Sequence, residues 1–127
     1  MAKEKELDFG TFIRNKRINQ HKTLLEVARV LEISNPYYCD IEKGNRNPPD
    51  IEKLNRLADF LEMTADERGI MMDLAGRFRE QTAPDINEWI LATPGVSAAL
   101  RQAKELDFSS DDWLAMVEEM KRRKGLK

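Results

Sequence analysis

Apolar residues recur at helical spacing through most of the chain, and polar capping residues mark where each run starts. Leu24, Val27, Ala28 and Leu31 stand at i, i+3, i+4 and i+7, which predicts a helix of about two turns. Thr23 and Glu26 form a capping box at its start. A second pattern opens at Ile33 and continues through Tyr38 and Ile41, with Ser34 as N-cap. Residues 23–46 therefore read as two short helices joined by a tight turn, with small Ala28 where crossing helices come closest. Asp50, after Pro48 and Pro49, caps a helix carrying Ile51, Leu54, Leu57, Ala58 and Leu61. Thr64 and Glu67 make another capping box, and the helix from 65 to about 80 places Ile70, Met71, Leu74 and Phe78 on one face. Pro84 disfavours helical geometry at Ala83, so QTAPD reads as a connector. Beyond it come a short helix with Ile86, Trp89 and Ile90, a break at Thr93, Pro94 and Gly95, and a helix with Val96, Leu100 and Ala103. Ser109 or Ser110 starts the last one, which carries Trp113, Val117 and Met120. No segment alternates as a strand would, and no internal repeat is visible, so the fold class is all-α.

The stretch TLLEVARVLEISNPYYCDIEKGNR, preceded by FGTFIRNKR and followed by PDIEKLNRLADFL, resembles the Cro-like, XRE-type helix-turn-helix family of regulators, to which lambda repressor belongs. The likeness runs over roughly residues 9–61. It implies a lambda-repressor-like domain of about five helices in residues 1–80 that binds DNA. A short C-terminal helical extension, 81–127, is then left for packing or dimerisation. In such domains the second helix of the pair lies in the major groove while the first crosses the backbone.

By that likeness Ser34, Asn35, Pro36 and Asp40 meet base edges, and Arg17, Thr23, Tyr37, Lys43, Asn45 and Arg46 meet the DNA backbone. Asn35 suits the N6/N7 edge of adenine, Asp40 can only accept, as from cytosine N4, and Pro36 offers apolar contact to a thymine methyl. Plainer readings stand beside these: Asn35 and Pro36 as a helix start set by backbone geometry, and Asp40 as a surface residue. Arg17 and Glu42 match positions that pair between helices in the family, and Gly44 is a natural left-handed C-cap. Three residues depart from the pattern: Leu24 replaces the usual glutamine, Glu32 replaces the turn glycine, and Asp40 is acidic before Ile41.

Composition narrows the rest. With 127 residues, 41% hydrophobic and 35% charged, the chain can bury one modest core or a small domain with an appended bundle, but not two large domains. No apolar run approaches the roughly 20 residues of a membrane span, and MAKEKELDF carries charge where a signal peptide is apolar. A cytoplasmic location with no membrane partner is expected. The single cysteine, Cys39, reads as a small packing or groove-facing residue, and with His21 gives two ligands where structural zinc needs four. GNRNPP lacks the lysine and context of a phosphate loop. No metal, cofactor or enzymatic activity is expected. Trp89 and Trp113 are expected in the core, and Met71 and Met72 as one buried and one exposed side chain.

The net charge is −2, unlike that of many nucleic-acid binders, so distribution must matter more than total. Residues 1–62 hold 11 Lys+Arg against 11 Asp+Glu, and the remainder 10 against 12. A positive rim facing phosphates is expected from Arg14, Lys16 and Arg17 with Lys43, Asn45 and Arg46, the plainer reading being a scattered, solvated surface. The basic KRRKGLK tail reads as a helix terminus that complements the macrodipole, with contact to phosphates beside the groove as the other reading. These features together predict a transcriptional regulator, a repressor occupying an operator as a homodimer. Its partners would be double-stranded DNA and, as a further candidate, a regulatory protein. The alternative is an antitoxin-like or anti-regulator interaction module on the same fold.

Overall fold

Local side-chain chemistry sets most of the helix boundaries. The computed structural model describes residues 7–126, in which eight α-helices and no strand occur. They are α1 Phe9–Asn19, α2 Leu24–Leu31, α3 Asn35–Lys43, α4 Ile51–Phe60, α5 Ala65–Phe78, α6 Pro84–Ala92, α7 Val96–Glu105 and α8 Ser110–Arg123. Asp8, Thr23, Ser34, Asp50, Thr64 and Ser109 each accept a backbone N–H of the first turn they precede. Reciprocal capping boxes form at Thr23 with Glu26, Thr64 with Glu67 and Ser109 with Asp112. Pro84 opens α6 at a position where its missing N–H costs nothing. No helix among the described residues is long and apolar enough to cross a membrane.

The chain divides into two compact units, one ending at Trp89 and the other beginning at Ile90. In the first, α1 packs on α3 and α5, and α2 on α3 and α4. Ile13, Val27, Leu31, Tyr38, Leu54, Leu57 and Met71 are fully enclosed. Full burial of such an aliphatic side chain stabilises by about 2 kcal/mol. Gly10 allows the closest approach: a Cβ there would lie 2.2 Å from the Glu42 carbonyl oxygen, so the start of α1 rests on the backbone of α3.

Met71 and Met72 are both buried, at 0% and 3% exposure, contrary to the expected split. Successive helical residues are about 100° apart, so burying both requires cover over a wide arc, and Leu74, Ala75 and Gly76 are enclosed as well. That arc turns Ile70 to the opposite side, 46% exposed, and leaves Phe78, at the last position of α5, 39% exposed.

The second unit buries little. Ala103 is its sole buried side chain among the described residues, and α8 contributes none. Trp113 is 42% exposed and Trp89, on α6, 57% exposed, so neither tryptophan is in the core as expected. Each falls on the apolar stripe of its own helix, and both side chains are largely open. Phe108 packs edge-on against Trp113 with ring centroids 4.9 Å apart.

Candidate nucleic-acid interface

The turn between α2 and α3 determines how α3 is presented. Glu32 ends α2 in the left-handed region, φ 60° and ψ 42°, and thus supplies from a side-chain-bearing residue what glycine supplies more cheaply. Ile33 N–H then reaches back to the Ala28 carbonyl at 3.0 Å, closing the helix end. Arg56 of α4 donates to the Val30 carbonyl at 3.1 Å and lies 3.6 Å from the Glu32 carboxylate, holding the turn from behind. Ser34 accepts the Tyr37 N–H at 3.1 Å, and Pro36 fills a first-turn position of α3 that needs no donor.

The inner face of α3 is anchored twice. Tyr38 and Ile41 are enclosed in the core. Glu42, itself buried, accepts Arg17 Nε at 2.8 Å and Arg17 Nη2 at 3.1 Å, a bidentate bridge from α1. Arg17 Nη1 also donates to the Lys22 carbonyl at 3.0 Å, so one guanidinium ties α1, α3 and the loop before α2. Its side chain is left 12% exposed. The hydrogen bonds it donates to Glu42 raise the Arg17 pKa above its ordinary value. Burial, with the Glu42 carboxylate alongside, pushes the Tyr38 phenol up as well.

The outer face is polar and open. Ser34, Asn35, Pro36 and Tyr37 are exposed, and Asp40 and Cys39 half-buried. Gly44 terminates α3 with φ 82°, and Asn45 N–H returns to the Asp40 carbonyl at 2.9 Å, which folds residues 45–47 back over the helix end. Arg46 thereby stacks its guanidinium 4.5 Å above the Tyr37 ring and sits 3.9 Å from the Asp40 carboxylate. Tyr37, Asp40 and Arg46 form one cluster that no spacing rule would have joined. Lys43 and Asn45 are exposed beside it.

Other expected contacts lie elsewhere. Thr23 is exposed at the N-terminus of α2, its hydroxyl accepting Glu26 N–H at 3.0 Å and its own N–H donating to Glu26 at 2.7 Å. This backbone bond holds the Glu26 carboxyl below its ordinary pKa. Leu24 packs against the core and brings no polar group to the position where the resemblance implies glutamine. Arg14 and Lys43 are exposed, whereas Lys16 is half-buried and bonded to Glu67.

Some contributors escaped the sequence pattern. Phe78, from the end of α5, joins Tyr37, Asn45, Arg46 and Asn47 around a shallow hollow of about 350 Å³. Arg79 donates to the Pro48 carbonyl at 2.6 Å and pins the loop that carries Arg46. Gly10 had one readable signal: glycine in the first turn of an amphipathic helix, where alanine is the better helix former by about 1 kcal/mol.

A family model described as helix-turn-helix matches residues 13–68. Two proteins of Mycobacterium tuberculosis, from strains CDC 1551 and H37Rv, are named as uncharacterized HTH-type transcriptional regulators. Each is 25% identical over 93 residues, which is 73% of this chain and 64% of the relative. The chain thus spans less than two thirds of the length of these curated relatives. No solved structure matches the chain significantly.

Proposed function

We propose that this protein is a sequence-specific DNA-binding transcriptional regulator, a repressor that occupies its operator as a homodimer; the match of residues 13–68 to a helix-turn-helix family model supports the reading. Residues 1–80 make the DNA-binding domain and 81–127 a helical extension for packing or dimerisation. The supporting observation is α3 itself: capped by Ser34, held from inside by the Arg17–Glu42 bridge, and open outward along Asn35, Pro36 and Tyr37.

In this reading Ser34, Asn35, Pro36 and Asp40 face base edges. Thr23, Tyr37, Lys43, Asn45 and Arg46 lie along the phosphates, and Arg17 acts on the backbone contacts through Glu42. Repression follows from steric exclusion of polymerase or a competing regulator.

The test is a titration with duplex DNA flanking the coding region at several salt concentrations. Affinity should fall steeply with salt, and Arg46→Ala should weaken binding to all sequences and reduce the log–log salt slope by about 1. Asn35→Ala should cost about 1–3 kcal/mol on the preferred site and relax the choice at one base pair. No binding at low salt would overturn the proposal.

Asp40 favours a second reading, since a carboxylate 42% exposed on the outward side of α3 repels phosphate and suits a basic protein. On that reading the chain is an antitoxin-like or anti-regulator module, and Asp40→Asn abolishes partner binding instead of strengthening DNA binding.

A further inference from the structure

Helix α8 presents a largely open apolar face, on which Phe108 packs edge-on against Trp113 at one end. Trp113, Met116, Val117 and Met120 fall within about 100° of the helix circumference and are 42%, 51%, 51% and 43% exposed. Leu114, at 64%, extends one margin. A helix of 14 residues is marginal in water unless such a face is packed. The unit that carries it encloses only Ala103 among the described residues. Units this small are usually held by a disulfide, a metal or association. The lone Cys39 lies in the other unit, and the described residues contain no cluster of metal ligands. Of these three, association is the one that the exposed stripe favours.

The charges on α8 indicate the partner. Its first turn carries Asp111 and Asp112, and its last turn Lys121, Arg122 and Arg123. Lys121 and Arg122 already pair within the helix, with Glu118 and Glu119. Asp112 and Arg123 are separated by about three helical turns, so both stand on the same flank of the apolar stripe. A second α8 laid antiparallel sets each acidic end against a basic end, twice by symmetry. A parallel pair sets like against like.

We propose that α8 is the seam of an isologous antiparallel homodimer, with Trp113, Met116, Val117 and Met120 of two copies interleaved and Asp112 of each copy facing Arg123 of the other. This deepens the regulator reading and rests on it for the use of two copies on one operator.

Sedimentation equilibrium on the full chain tests it. The wild type should dimerise and Val117→Glu should be monomeric, with far-UV circular dichroism retaining the helices of the first unit. Arg123→Asp should weaken association about tenfold, and adding Asp112→Arg should restore it, with far-UV circular dichroism reporting any loss of the Ser109–Asp112 cap. In a Cys39→Ser background, Met116→Cys near the symmetry axis should form an intermolecular disulfide, while Lys124→Cys at the far end should not.

A wild type that stays monomeric up to about 100 µM, equal crosslinking at both positions, or a double charge reversal that restores nothing would overturn the seam. DNA binding separates the two readings. A monomeric chain that still binds duplex with a steep salt dependence refutes the seam and leaves the regulator. A dimer that binds no duplex supports the seam and refutes the regulator.

Discussion

At single positions the domain accepts local costs that its packing outweighs. Glu32 holds a left-handed backbone, at a cost of about 1 kcal/mol for a residue with a Cβ. Its ion pair with Arg56, at 3.6 Å and largely solvated on the carboxylate side, returns little. Glu32→Gly should therefore raise unfolding stability by about 0.5–1 kcal/mol in urea titration; a loss of that size would mean that the pair outweighs the strain. The Tyr38 hydroxyl is buried beside the Arg17–Glu42 pair, with no partner in good hydrogen-bond geometry. Tyr38→Phe should change stability by less than about 1 kcal/mol, since no bond is lost, and a drop of 2 or more in the same titration would show that the phenol is bonded to the neighbouring pair.

Between elements, the decisive contact is α1 against α3. Adding a methyl at Gly10 forces the two backbones apart, because the atom it meets is a main-chain carbonyl and not a yielding side chain. Gly10→Ala should cost about 1–3 kcal/mol and weaken the Arg17–Glu42 bridge, read as a lower melting temperature together with weaker duplex binding. Arg17→Met should cost about 3–5 kcal/mol by stranding the Glu42 carboxylate in the interior. The helices themselves were legible in the sequence because caps are local: Thr23 with Glu26, Ser34, Asp50, Thr64 with Glu67, and Ser109 all sit where their side-chain oxygens meet free N–H groups. The Arg17–Glu42 tie was legible through family likeness. What could not be read depends on another element. Periodicity shows that Trp89 and Trp113 share a stripe with other apolar residues but not whether anything covers that stripe. It says nothing of the wide arc that encloses both Met71 and Met72, nor of the loop that swings Arg46 over Tyr37.

For the molecule as a whole, acid should be destabilising. Lys16 on α1 bonds Glu67 on α5, and that bond, helped by the Thr64 N–H, holds the Glu67 carboxyl below its ordinary value. Glu26 is lowered in the same direction by the Thr23 backbone. A carboxyl whose folded pKa is depressed stabilises above its unfolded value, near 4.3, and loses that contribution as pH falls through the folded value. The melting temperature should hold from pH 7 to about 5 and decline below about 4.5, and Glu67→Gln should flatten part of that decline. Charge has a further effect at the surface. Arg46 is not idle before a ligand arrives, because Asp40 stands 3.9 Å away as a tethered rival for the same cation. An arbitrary polyanion must outcompete that rival for each guanidinium it takes, so loose sticking yields less than an unpaired arginine would give. Only an anion fixed by further contacts gains enough to displace it, and a built-in competitor of this kind sharpens the choice of ligand through rejection.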